Sequence, residues 1–151
     1  MEEKFVDSRQ VFAERLNDLM DEKGIGTSGL SKALKVTPQT IGGWKSGKSG
    51  LYLETAIKVA DYFRCALDYL YGGSNIFEEV TPKNCPPFYP RLLQVMREKE
   101  ITINDIDKDA AIRFTDAYFS MWKRAKRFYM ETVIELAKYL NVTIDYLVGR
   151  E

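Results

Sequence analysis

The residues of this chain with chemical potential are amides, hydroxyls and cations, in two clusters. Thr37-Pro38-Gln39-Thr40 sets an amide between hydroxyls, and Lys45 and Lys48 follow. A glutamine amide offers a donor and an acceptor side by side, and a lysine ammonium binds phosphate as a point charge. Lys123, Arg124, Lys126 and Arg127 form a second cluster, in a stretch without acids from Ala117 to Met130. These groups suit hydrogen bonding and phosphate contact. Catalysis has little to draw on, because the chain has no histidine, the commonest general base and metal ligand. Its two cysteines, Cys65 and Cys85, match no metal or redox spacing, and there is no Gly-rich phosphate loop. Asp105 and Asp109 share a helical face amid other charges, an ordinary solvated surface. The expectation is a protein that is not an enzyme, with no cofactor, no metal and no evident small-molecule ligand.

Charge supports this view through its distribution rather than its sum. There are 22 basic and 22 acidic residues, so the net charge is zero. Between Lys23 and Leu53, however, lie Lys32, Lys35, Lys45 and Lys48 with no acid, while acids gather at Asp7 to Glu22, Glu78-Glu79 and Glu98 to Asp109. A local basic surface is what an electrostatic footprint requires. No apolar run approaches a membrane span and no signal-peptide pattern occurs, so a cytoplasmic protein without a membrane partner is expected.

The elements that must position these residues read as helices throughout, with no sustained period-2 alternation. Phe12, Leu16, Leu19 and Met20 mark one face of a first helix, with Asp7 and Gln10 as its capping pair and Gly24 as its stop. A short second helix is predicted over Thr27 to Leu34. Thr37 is an N-cap before proline at the first helical position, which starts a third helix ending near Ser46-Gly47. Ala56, Val59, Ala60 and Phe63 line a fourth, and Leu67 to Tyr71 form a fifth, with Asp68 placed to cap it, as Asp145 is in the later stretch of the same pattern. Trp44, three residues after Ile41, reads as core.

The pattern then returns. Ala60-x-Tyr62…Leu67-Asp68-Tyr69-Leu70-x-Gly72 recurs as Ala137-x-Tyr139…Ile144-Asp145-Tyr146-Leu147-x-Gly149, and Trp44-Lys45 as Trp122-Lys123. Leu92, Val95 and Met96 answer Leu16, Leu19 and Met20. Between the copies runs a proline-bearing stretch, with Pro90 placed to begin the second. The expected fold is all-α, two tandem five-helix domains: residues 1–75, a linker over 76–89, and a second, degenerate copy over 90–151. Phe88, Tyr89, Phe114, Tyr118, Phe128 and Tyr129 give that copy an aromatic excess, read as a larger core or as a dimerisation patch.

Two short helices joined by a tight turn at Lys35-Val36, the second capped by Thr37, make a helix-turn-helix. Such a helix can place its N-terminal end in the DNA major groove, where base edges carry a unique hydrogen-bond code. From Ile25 to Gly72 the residues resemble the phage repressor and Cro family, the XRE family. The resemblance rests on Val36-Thr37-x-Gln39-Thr40-Ile41-x-x-Trp44, Gly47-Lys48, Leu53-Glu54-Thr55 and Leu67-Asp68-Tyr69-Leu70-x-Gly72. It implies a lambda-repressor-like DNA-binding domain acting as a homodimer on a double-stranded, roughly palindromic operator. It also implies that Gln39 reads a base, that Thr40 touches base or phosphate, and that Lys48 reaches phosphate, with Lys45 an exposed basic neighbour. Thr27 stands where the family commonly has a phosphate-binding Gln. Pro38 and Gly43 occupy positions that often carry reading side chains, and Gly42-Gly43 lowers helix propensity by roughly 1 kcal/mol per glycine relative to alanine.

The second copy keeps the frame and loses the reading face: Asp116 and Ala117 stand against Pro38 and Gln39. Lys123, Arg124, Lys126 and Arg127 could still clamp phosphates there. The sequence therefore points to a repressor-type, sequence-specific transcriptional regulator. The competing expectation is a protein-interaction module of the same fold, an antitoxin or phage-type inhibitor, with little specific DNA binding.

Overall fold

The computed structural model describes residues 8–108, 124 and 127–151. Every regular element among them is an α-helix, and extended pairing is limited to one bridge, Tyr52 to Tyr129. The chain divides into two compact units: residues 1–82 with Tyr129–Glu131, and residues 83–128 with 132–151.

In the first unit the helices are α1 (Ser8–Lys23), α2 (Thr27–Leu34), α3 (Pro38–Ser46), α4 (Leu53–Phe63) and α5 (Leu67–Leu70). Each boundary has a local cause. Gly24 turns the chain after α1 with φ +70°, and the Ile25 N–H closes on the Met20 carbonyl at 3.0 Å. Lys35 ends α2 in the left-handed region, and Gly47 does the same for α3. Phe12, Leu16, Leu30, Ile41, Val59, Leu67 and Leu70 are buried together with Trp44, which is only 2% exposed. That figure makes Trp44 a core residue rather than a ligand platform. Phe12 meets Trp44 edge-on and stacks on Tyr71, so one α1 side chain holds both α3 and the end of α5. The Tyr71 hydroxyl is buried with no hydrogen-bond partner among the described residues.

The second unit contains α6 (Phe88–Glu98), α7 (Ile103–Lys108), most of α8 (Met130–Leu140), and α9 (Ile144–Val148). Pro90 does not begin α6. The helix starts at Phe88, and Pro90 is tolerated at its third position because the first N–H groups of a helix have no intrahelical partner. Leu92, Val95, Met96, Ile106, Val133, Leu136, Leu140 and Leu147 form the core. Phe88 and Phe128 are buried against each other with ring centres 5.0 Å apart, which assigns them to that core and not to an exposed patch. The Arg91 guanidinium donates to the Tyr146 carbonyl at 2.7 Å and lies over the Tyr146 ring.

Asp145, expected to cap the last short helix, has another role. No side-chain cap bond closes α5, and α9 is capped by Thr143, whose Oγ1 accepts from the Tyr146 N–H at 3.0 Å. Asp145 instead forms a buried ion pair with Arg150. Buried arginine retains its charge, so a carboxylate beside it is the more compelling partner.

Several local structures recur between the units. The Ile101 N–H closes on Met96 as Ile25 does on Met20, and Val142 on Ala137 as Cys65 does on Ala60. Arg64 and Asn141 are both left-handed, at φ 54° and 58°. The sequence motifs that repeat therefore fold into the same turns. The stretch from Asp109 to Lys123, which holds Phe114, Asp116, Ala117, Tyr118 and Trp122, lies outside the described residues, as do Lys126 and the expected α1 cap, Asp7.

Candidate nucleic-acid interface

The turn between α2 and α3 is fixed by one residue. Ser31 is buried, its carbonyl accepts the Val36 N–H at 3.1 Å, and its hydroxyl donates to the Val36 carbonyl. This pairs both polar groups of Val36 and sets where α3 begins. Thr37 then caps α3: its Oγ1 accepts from the Thr40 N–H at 3.1 Å and lies 2.8 Å from the Thr40 hydroxyl. Pro38 follows at the first helical position. Ile41 and Trp44 bury the inner face, which leaves Pro38, Gln39, Thr40, Gly42 and Ser46 exposed.

On that outer face Gln39 makes no side-chain hydrogen bond among the described residues, so its donor and acceptor are both presented to solvent. The Thr40 hydroxyl is engaged by Thr37, so its share in any external contact is reduced. The N-terminal amides of α3 add a partial positive charge beside both residues.

Lys45 is not the exposed neighbour that the sequence suggested. It is half-buried, and its Nζ donates to the Thr27 hydroxyl at 3.2 Å. A lysine on the last turn of α3 reaches the first turn of α2 because the two helices cross there. Thr27 and Lys45 thus form one polar pair.

Gly43 is also explained by the fold. A Cβ at this position would stand 2.4 Å from Ser49 Oγ and 3.0 Å from Ser49 Cβ. Its carbonyl accepts from the Lys48 N–H at 3.0 Å, the Ser49 N–H at 3.2 Å and the Ser46 hydroxyl at 3.1 Å. The bare position lets the loop after α3 fold back onto the helix. Gly43 therefore supports the loop that carries Lys48 and offers no reading group. The Lys48 side chain itself is exposed.

Two residues that hold this arrangement were not singled out in the sequence. Arg9 donates to the Lys48 carbonyl at 3.2 Å and pairs with Glu131 at 2.9 Å. Asn17 donates to the Ala13 carbonyl at 2.8 Å and to the Lys45 carbonyl at 3.2 Å, satisfying a carbonyl at the end of α3. Both lie on α1, whose sequence pattern signals only its buried face. Of the second basic cluster, Arg124 and Arg127 are exposed. In the second unit, Thr102 and Asp105 cap α7 reciprocally, at 2.8 and 3.2 Å. Asp105 is thus a capping-box acid. Among the described residues no group of three or more His, Cys, Asp or Glu side chains could hold a metal, and no helix is long and apolar enough to cross a membrane.

Comparison with known proteins bears on the same segment. Residues 15–71 match the Cro/C1-type HTH DNA-binding domain. The chain is also similar to "Repressor protein CI" of Enterobacteria phage phi80, 29% identical over 75 residues, which covers 50% of this chain and 31% of that protein. The chain thus spans about a third of the length of the curated relative it matches. No solved structure matches it. The matched residues are those that build the helices, turn and cap of the first unit, which are thus similar to that HTH domain.

Proposed function

We propose that this chain is a sequence-specific, repressor-type transcriptional regulator that inserts the N-terminal end of α3 into the major groove of an operator. The observation that carries the reading is Gln39: an exposed amide, free of side-chain bonds within the described residues, on the first turn of a helix capped by Thr37. A glutamine amide there can pair bidentately with adenine. Lys48 binds phosphate from the loop beyond α3, and the Thr27–Lys45 pair lies beside the backbone. The similarity to a phage CI repressor agrees with this function. The protein acts as a homodimer in the cytoplasm, on a roughly palindromic site. The second unit, whose first helix is α6 from Phe88, is a diverged tandem copy that serves packing and dimerisation. Arg124 and Arg127, with Lys123 and Lys126, give it auxiliary phosphate contact.

Selection of preferred sites from random duplex DNA tests the reading. The wild-type chain should enrich one sequence, and Gln39→Ala should relax preference at one base position by about 1–3 kcal/mol. Lys48→Ala should weaken binding to all duplexes alike and make the salt dependence shallower by about one charge. Failure of the wild type to prefer any sequence would instead favour the protein-interaction module.

A further inference from the structure

Three glycines interrupt the described helices, and two have internal reasons. Gly29 faces Ile25, with Cγ1 3.0 Å from where its Cβ would stand, and Gly43 faces Ser49. Gly42 has none. A Cβ there would meet nothing within 4 Å, and the residue is exposed with an ordinary helical backbone. Glycine weakens a helix interior by its backbone entropy, so this position carries a penalty that the fold itself does not require. The reason must then lie outside the unit. Gly42 stands one turn beyond Gln39 and one turn before Ser46, on the exposed face of α3.

We propose that Gly42 is the point of closest approach between the α3 backbone and DNA, its missing side chain making room for the base edge next to the pair that Gln39 reads. The inference rests on the DNA-binding function proposed above. Three helical residues rise about 4.5 Å, close to the 3.4 Å step between base pairs, so Gly42 falls opposite the adjacent pair. A major-groove base edge there, such as one carrying a thymine methyl, occupies the space that a Cβ would take.

The test pairs stability with site selection, using the full chain and the variants Gly42→Ala and Gly42→Ser. Gly42→Ala should melt at a higher temperature than the wild type. It should bind the selected duplex roughly tenfold more weakly or worse, as an inserted methyl does in a close-packed contact, while binding random duplex within about twofold of wild type. Repeated selection should change the preferred base at the neighbouring pair and leave that at the Gln39 pair unaltered. Gly42→Ser should behave alike in binding, which separates loss of space from any gain in helix stability. If the wild type has a preferred duplex and both variants bind it undiminished, or lose specific and random binding equally, Gly42 is not a contact and the DNA-binding function stands. A wild type with no preferred duplex overturns both.

Discussion

Replacing Gly43 by alanine should destabilise the first unit although alanine is the better helix former. The intrinsic gain is about 1 kcal/mol. Against it, the new methyl would sit 2.4 Å from Ser49 Oγ and 3.0 Å from Ser49 Cβ. Rotating the hydroxyl away relieves the first contact and not the second, so the loop backbone must move. Overpacking of this kind costs about 1–3 kcal/mol. Moving Ser49 also stretches its 3.2 Å N–H bond to the Gly43 carbonyl, a further loss of about 1 kcal/mol. The net is a destabilisation of about 1–3 kcal/mol. In a urea titration followed by far-UV circular dichroism, the midpoint of the first unit's transition should fall by on the order of 1 M. The informative step is the background Ser49→Gly, which removes both offending atoms. There Gly43→Ala should change sign and become stabilising by up to about 1 kcal/mol. Stabilisation of the wild type by Gly43→Ala, or equal destabilisation of both backgrounds, would rule out the clash with Ser49.

Two further substitutions probe single interactions. Tyr71→Phe should leave the Phe12 stack intact and remove an unpaired buried hydroxyl, raising stability by about 1 kcal/mol in the same titration. Burial, and then the Glu131 carboxylate, push the Tyr71 hydroxyl above its ordinary range, so the folded form resists ionisation. The unfolded chain begins to release that proton near pH 10, so stability falls with rising pH from there, and Tyr71→Phe should flatten that decline. Asp145→Asn should unfold the second unit more readily by about 3–5 kcal/mol, since it leaves the Arg150 guanidinium buried beside a neutral amide. Asp145→Asn with Arg150→Met should recover part of that loss. A single variant as stable as the wild type would remove the ion pair from the account.

Much of the first unit was legible because its signals are local. Thr37-Pro38 is a cap and a first-turn proline whatever surrounds it, Gly24 and Gly47 stop helices through their own backbone freedom, and Ile41 and Trp44 share a face by spacing alone. The same holds for the repeated turns, which reappear at Met96–Ile101 and Ala137–Val142 with the same backbone bonds. What the sequence misplaced were polar side chains whose partners lie far along the chain or could be one of several. Lys45 reads as an exposed cation in sequence, because nothing local announces that α2 brings Thr27 within 3.2 Å. Asp145 reads as a cap in sequence, yet Thr143 caps the helix and Asp145 pairs with the buried Arg150, an assignment that only packing makes. Arg9 and Asn17 drew no notice, since the face of α1 that they occupy is defined by where α3 ends.

The sequence by itself determined the helices of the first unit, the Thr37 cap and the tight turn between α2 and α3, since these follow from backbone freedom and apolar spacing over a few residues. Only the tertiary structure decided which groups of α3 remain available. It committed Lys45 to Thr27, Thr40 to Thr37 and Gly43 to Ser49, and it left Gln39 and Gly42 facing outward. The reason is geometric: a side chain's availability depends on what crosses its path, and that is set by how α1, α2 and the following loop close around the helix.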